Sequence, residues 1–114
     1  MATSTVDHKS ELKAAEAAVE SGDVHQGLRL AERVVFDAIE QSTGVRARGL
    51  LRENVSDSLI KAGLDGVTAE TTQDILVRLE SCRYGTTTEE PRQLLTEVRD
   101  LLRRVPSSKK GRRS

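Results

Sequence analysis

At 114 residues the chain has room for one domain with a modest core and too little for two ordinary ones. Its apolar residues are almost all Leu, Val, Ile and Ala, with Phe36 and Tyr84 as the only aromatics, which argues against a stacking platform for single-stranded nucleic acid. The 18 basic and 18 acidic residues cancel, yet Arg103, Arg104, Lys109, Lys110, Arg112 and Arg113 all follow the last acid, Asp100, so residues 1–102 hold 12 bases against 18 acids, a net of −6.

Residues 1–7, MATSTVD, are small and polar and read as a disordered lead; a single helical domain is expected over 8–105 and a basic, disordered tail over 106–114. Asp7 or Ser10 caps a first helix that turns Leu12, Ala15, Ala18 and Val19 inward and ends at Gly22. Asp23 caps the second helix, with Gln26 three residues on completing a capping-box pattern. That helix runs to about Ser42. It places Val24, Leu28, Ala31, Val35 and Ala38 on one face, widened by Leu30, Val34 and Ile39, and leaves Glu32, Arg33, Asp37 and Glu40 elsewhere.

Gly44 and Gly49 bracket a basic connector, GVRARG. A third helix is expected over about Arg52–Ala62, with Val55, Leu59 and Ala62 inward, closed by Gly63 and an apolar contact from Leu64. The fourth, capped by Thr68, runs to about Arg83 with Thr72, Ile75, Leu76, Leu79 and Cys82 in register. The segment YGTTTEEP interrupts. Thr88 or Glu90 starts the fifth helix, because Pro91 belongs in a first turn, and Pro106 stops it. Leu94, Leu95, Val98, Leu101, Leu102 and Val105 give that helix the strongest apolar stripe, which marks it as the expected central packing helix. No alternating stretch calls for a sheet. The fold class is all-α, a compact bundle of about five helices that begins with a tetratricopeptide-like hairpin.

One such hairpin does not make a solenoid, which needs about three units, and a shift of 34 residues from the hairpin reveals no second copy. Helices three and four suggest a helix-turn-helix, but Glu70, Asp74 and Glu80 outnumber Arg78 on the would-be recognition helix, the wrong sign for phosphates. His8 and His25 are the only histidines and Cys82 the only cysteine, so no metal-ligand spacing arises and no disulfide forms within the chain. His25 reads as a surface residue and Cys82 as a small buried one. No phosphate-binding glycine loop is present. These absences argue against an enzyme, and no cofactor or metal is expected. No apolar run approaches membrane-span length, and the N-terminus has no signal-peptide core, so a soluble cytoplasmic protein is expected.

Read together, AAEAAVESGDVHQGLRLAERVV, STGVRARGLLRENVSDSLIKAGLD, ILVRLESCRYG and QLLTEVRDLLRRV, in that order across residues 9–105, resemble the C-terminal cytoplasmic helical region of BatD-type proteins. These are the membrane components of bacterial aerotolerance (Bat) operons. Leu51 replaces the family's usual capping threonine, and the proline expected just after Tyr84 is absent. With no membrane span or β-rich ectodomain, the chain reads as a free-standing relative of that module or as the module cut from a longer protein.

The resemblance implies a non-enzymatic protein-interaction module, an adaptor for a system of MoxR-type AAA+ ATPases and von Willebrand factor A-domain proteins. It carries over no catalytic residue. Candidate partner or anion contacts are Arg46, Arg48 and Arg52 in and after the connector, Arg83 and Tyr84 at the fourth helix's end, and Lys109, Lys110, Arg112 and Arg113 in the tail. Tyr84 also reads as an aromatic plugging the turn between helices four and five. The alternative is a nucleic-acid-associated protein acting through the tail. The wide stripe of the fifth helix also leaves a homodimer open.

Overall fold

The computed structural model describes residues 8–85 and 90–105. The lead, the tail with Lys109, Lys110, Arg112 and Arg113, and Thr88 lie outside the described residues. The helices are α1 (His8–Glu20), α2 (Val24–Thr43), α3 (Val55–Lys61), α4 (Gly66–Arg83) and α5 (Pro91–Arg104), with 3₁₀ turns at Ala47–Gly49 and Arg52–Asn54. No strand occurs among the described residues. The fold is the expected all-α bundle opened by a helical hairpin.

α1 buries Leu12, Ala15 and Val19, a stripe at helical spacing, with Ala18 half-buried at its edge. It stops at Gly22, whose φ of +98° suits a residue without a Cβ. The Gly22 N–H then donates to Val19 O (3.1 Å) and the Asp23 N–H to Ala18 O (2.8 Å), satisfying two carbonyls at the helix end. Only half of the expected capping box forms. Asp23 Oδ1 accepts from the Gln26 N–H at 3.4 Å, but the Asp23 N–H is already engaged by Ala18 and needs nothing from the Gln26 side chain.

Gly27 sets how closely the hairpin closes. A Cβ there would stand 2.5 Å from Val19 Cγ2 and 2.7 Å from the Ala15 carbonyl oxygen, so the backbones of α1 and α2 approach to a distance that only glycine allows. Beyond it, α2 buries Leu28, Ala31, Val34, Val35, Phe36, Ala38 and Ile39, more than one stripe, because it packs against α1, α4 and α5. The central helix is therefore α2, not α5. α5 buries Leu94, Leu95, Val98 and Leu101, while Leu102 and Val105 are half-buried. Its stripe is strong because its other face is almost wholly polar, and a sharp contrast between faces belongs to a peripheral helix.

Two boundaries differ from the sequence-based expectation. The third helix begins at Val55 instead of Arg52: Leu50 and Leu51 are extended, Leu51 offers no side-chain cap, and the intervening turn is 3₁₀. Gln73 of α4 supplies the missing acceptor, its Oε1 taking the Ser56 N–H at 2.9 Å. Ala62, expected inward, is exposed; it lies past the last turn of α3, and Leu64 fills the space after its N–H reaches back to Leu59 O. The cap of α4 is Asp65, three residues before Thr68. Its carboxylate accepts the Thr68 N–H at 3.0 Å, so Thr68 is the capped residue and is itself buried.

Ion pairs fasten α5 from outside the core. Arg78 of α4 grips Glu97 with two parallel bonds (2.6 and 2.8 Å), and from α5 Arg99 pairs with Glu16 and Arg92 with Glu20 of α1.

Candidate anion-binding groove

The expected candidates do not share one place. Arg48, Arg52 and Arg83 converge on the outer side of α2, whereas Arg46 is exposed and turns to Glu40 at 3.4 Å. Tyr84 does not plug the turn after α4. It is 64% exposed, with the Arg83 guanidinium 4.9 Å from its ring centroid and donating to its hydroxyl at 3.2 Å.

Around the three convergent arginines lies a groove of about 400 Å³. α2 supplies Gln26, Arg29, Leu30, Glu32, Arg33 and Phe36; the 3₁₀ turns supply Arg48 and Arg52; the end of α4 supplies Arg83. The local folding explains the convergence. Gly44 ends α2 in the left-handed conformation, and the two short turns bring the connector back along the helix it has just left. Arg48 thereby reaches Asp37 at 3.3 Å, and the guanidinium carbons of Arg48 and Arg52 stand 5.1 and 5.2 Å from the centroid of the Phe36 ring.

At the bottom is Glu32, only 8% exposed although its position in the helical pattern puts it outside the apolar stripe. Its Oε1 lies 3.2 Å from Arg83 Nη1 and its Oε2 3.7 Å from Arg52 Nη2, while Arg52 Nε faces Glu80 at 3.3 Å. A carboxylate this deep requires cationic partners, and the two arginines from distant parts of the chain provide them. Three buried atoms of this cluster make no hydrogen bond: Glu32 Oε2, Arg83 Nε, and Arg52 Nε, whose contact with Glu80 is an ion pair only. Nearer the mouth, Arg33 approaches Asp37 only to 4.0 Å, and Arg29 has no ion pair among the described residues. Five arginines against Glu32, Asp37 and Glu80 leave the groove and its edge at a net charge of +2.

Compared with protein-family models, curated proteins and solved structures, the chain matches none of them. The groove therefore has to be read from its own chemistry. Guanidinium groups present planar forks of N–H donors that fit carboxylate and phosphate oxygens, and a partly enclosed site screens their charge less than open water does. The lining contains no Ser, Thr, Cys, His or Lys. Among the described residues, no group of three His, Cys, Asp or Glu side chains is placed to hold a metal. Cys82 is half-buried against the core and His25 is exposed. No helix among the described residues is long and apolar enough to cross a membrane.

Helical spacing alone does not single out Gln26, Arg29, Glu32, Arg33 and Phe36 as site residues. The available signal was the pairing of Arg29 with Arg33 and of Glu32 with Phe36, each four residues apart on adjoining stripes of α2. It becomes meaningful only once the connector's own arginines are known to fold back onto them.

Proposed function

We propose that the chain is a non-enzymatic helical protein-interaction module that holds an acidic segment of a partner protein in the arginine groove. The observation that carries this reading is the groove's sign: it is positive, while the helical domain over residues 8–105 holds 14 bases against 17 acids, a net of −3. An acidic partner is repelled by most of the domain and attracted at one place, which orients docking as well as strengthening it. Half-buried Leu30 offers apolar contact beside the charges. In the setting that the BatD resemblance implies, the partner belongs to the AAA+ ATPase and A-domain machinery, and the module is its adaptor.

The test uses a labelled peptide of alternating Glu and Leu and its Lys counterpart, followed by fluorescence anisotropy at low and moderate salt. The acidic peptide is expected to bind, with affinity falling as salt rises. Arg29→Glu combined with Arg33→Glu should weaken it about tenfold or more by reversing two groove charges. Equal binding of both peptides, or indifference to those substitutions, would count against the groove as the docking surface.

A further inference from the structure

Resting on the acidic-segment reading, we propose that the anion for which the groove is built is a phosphoryl group, carried on a phosphorylated serine or threonine of the partner segment. Three features of the groove select it.

The first is charge. The net +2 of the groove and its edge is concentrated around a single cavity, and a phosphomonoester brings about −1.5 to −2 at one point near neutral pH. A single carboxylate brings about −1. The second is the distribution of donors. The deepest arginines, Arg52 and Arg83, are already held by Glu32, and Arg52 by Glu80 as well, whereas Arg29 has no ion pair among the described residues and Arg33 approaches Asp37 only to 4.0 Å. The donors open to a ligand are therefore the two mouth guanidiniums, and a tetrahedral group with three terminal oxygens can accept from both forks at once, where a planar carboxylate offers two oxygens to one fork. The third is size: about 400 Å³ exceeds what a lone phosphate fills and accommodates a phosphorylated side chain with the chain on either side of it.

Nucleic acid offers the same phosphate chemistry with a different fit. The groove has one ring, Phe36, already covered by Arg48 and Arg52, so no base finds a free stacking face there. An extended polyanion leaving the groove would then run over a domain of net negative charge. A compact monoester on a peptide avoids both penalties.

The experiment is calorimetric titration of the full chain with one peptide, Leu-rich on both sides of a central serine, made in Ser, Glu and phosphoserine forms. Inorganic phosphate and a 5′-phosphorylated single-stranded oligonucleotide serve as further probes. The phosphoserine form is expected to bind at least about tenfold tighter than the Glu form. Arg29→Gln with Arg33→Gln should abolish that preference while thermal unfolding shows the fold intact; both side chains are exposed and outside the Glu32 cluster. Equal affinity for the Glu and phosphoserine forms overturns the phosphoryl assignment and leaves acidic docking standing. Failure of both forms to bind overturns both readings. An oligonucleotide that outcompetes the phosphopeptide overturns the peptide as the source.

Discussion

At the scale of single residues, Gly27 and Glu32 carry the two most exposed consequences. Gly27→Ala adds a methyl 2.7 Å from the Ala15 carbonyl oxygen, which belongs to helix backbone and cannot swing aside. Overpacking of that kind costs about 1–3 kcal/mol, more than the roughly 1 kcal/mol that alanine gains over glycine inside a helix. Urea unfolding should therefore show a net loss of about 1 kcal/mol, and Gly27→Val should be worse. A stabilised Gly27→Ala variant would mean that α1 and α2 are farther apart than described. Glu32→Ala leaves Arg83 without its carboxylate and Arg52 with Glu80 alone. Stranding buried charge costs about 3–5 kcal/mol when fully enclosed; at the floor of an open groove a loss of about 2 kcal/mol is expected. Chemical unfolding should show it, with Glu32→Gln losing less because the amide oxygen still accepts a hydrogen bond. Neither role is visible in the sequence. A small residue at position 27 and a charged one at 32 each satisfy an amphipathic pattern, and it takes the packing of α1 and the return of the connector to make them obligatory.

At the scale of elements, the existence of the five helices was legible because caps and apolar spacing agree: Gly22 with Asp23, Gly63 with Leu64, and Pro91 in a first turn. Boundaries were less legible where two capping residues compete. Asp65 and Thr68 are three apart, and the carboxylate wins because it accepts the Thr68 N–H at the positive end of the helix. That hydrogen bond also holds the Asp65 carboxyl below its ordinary range. Accordingly, Asp65→Ala should lower the unfolding midpoint more than the isosteric Thr68→Val; the reverse order would restore Thr68 as the cap. Between α4 and α5, hydrogen bonding from Arg78, followed by its charge, holds the Glu97 carboxyl below the usual carboxylate range. A carboxylate whose folded value is depressed stabilises the fold above its unfolded titration and loses that contribution as pH falls through the folded value. Glu97→Gln should thus be less stable than the native chain at pH 7 by up to about 1 kcal/mol, since the pair is partly solvated. The gap should close as the pH drops below about 4, as thermal melts across a pH series would show.

At the scale of the whole molecule, the fold class could be read from the chain and the functional surface only in part. Arg48 and Arg52 were recognisable as candidate contacts because they belong to a basic stretch of an acidic domain, whereas Arg83 stood out only beside Tyr84, through the CRYG segment of the BatD resemblance. Their partners on α2 did not stand out, since Arg29, Arg33 and Glu32 look like an ordinary solvated face. What joins them is the backward path of residues 44–54, set by a left-handed glycine and two 3₁₀ turns whose combined geometry no local pattern specifies. The outcome is a domain whose charge is negative overall and positive at one groove, a distribution suited to steering an acidic partner to a defined place. The most direct test is an NMR titration of the ¹⁵N-labelled full chain with the acidic peptide, following the backbone amides. Saturable shifts confined to residues 26–36, the 48–52 turn and the end of α4 are predicted. Shifts centred on the outer faces of α1 or α5, or none at concentrations where anisotropy reports binding, would contradict the groove as the docking surface.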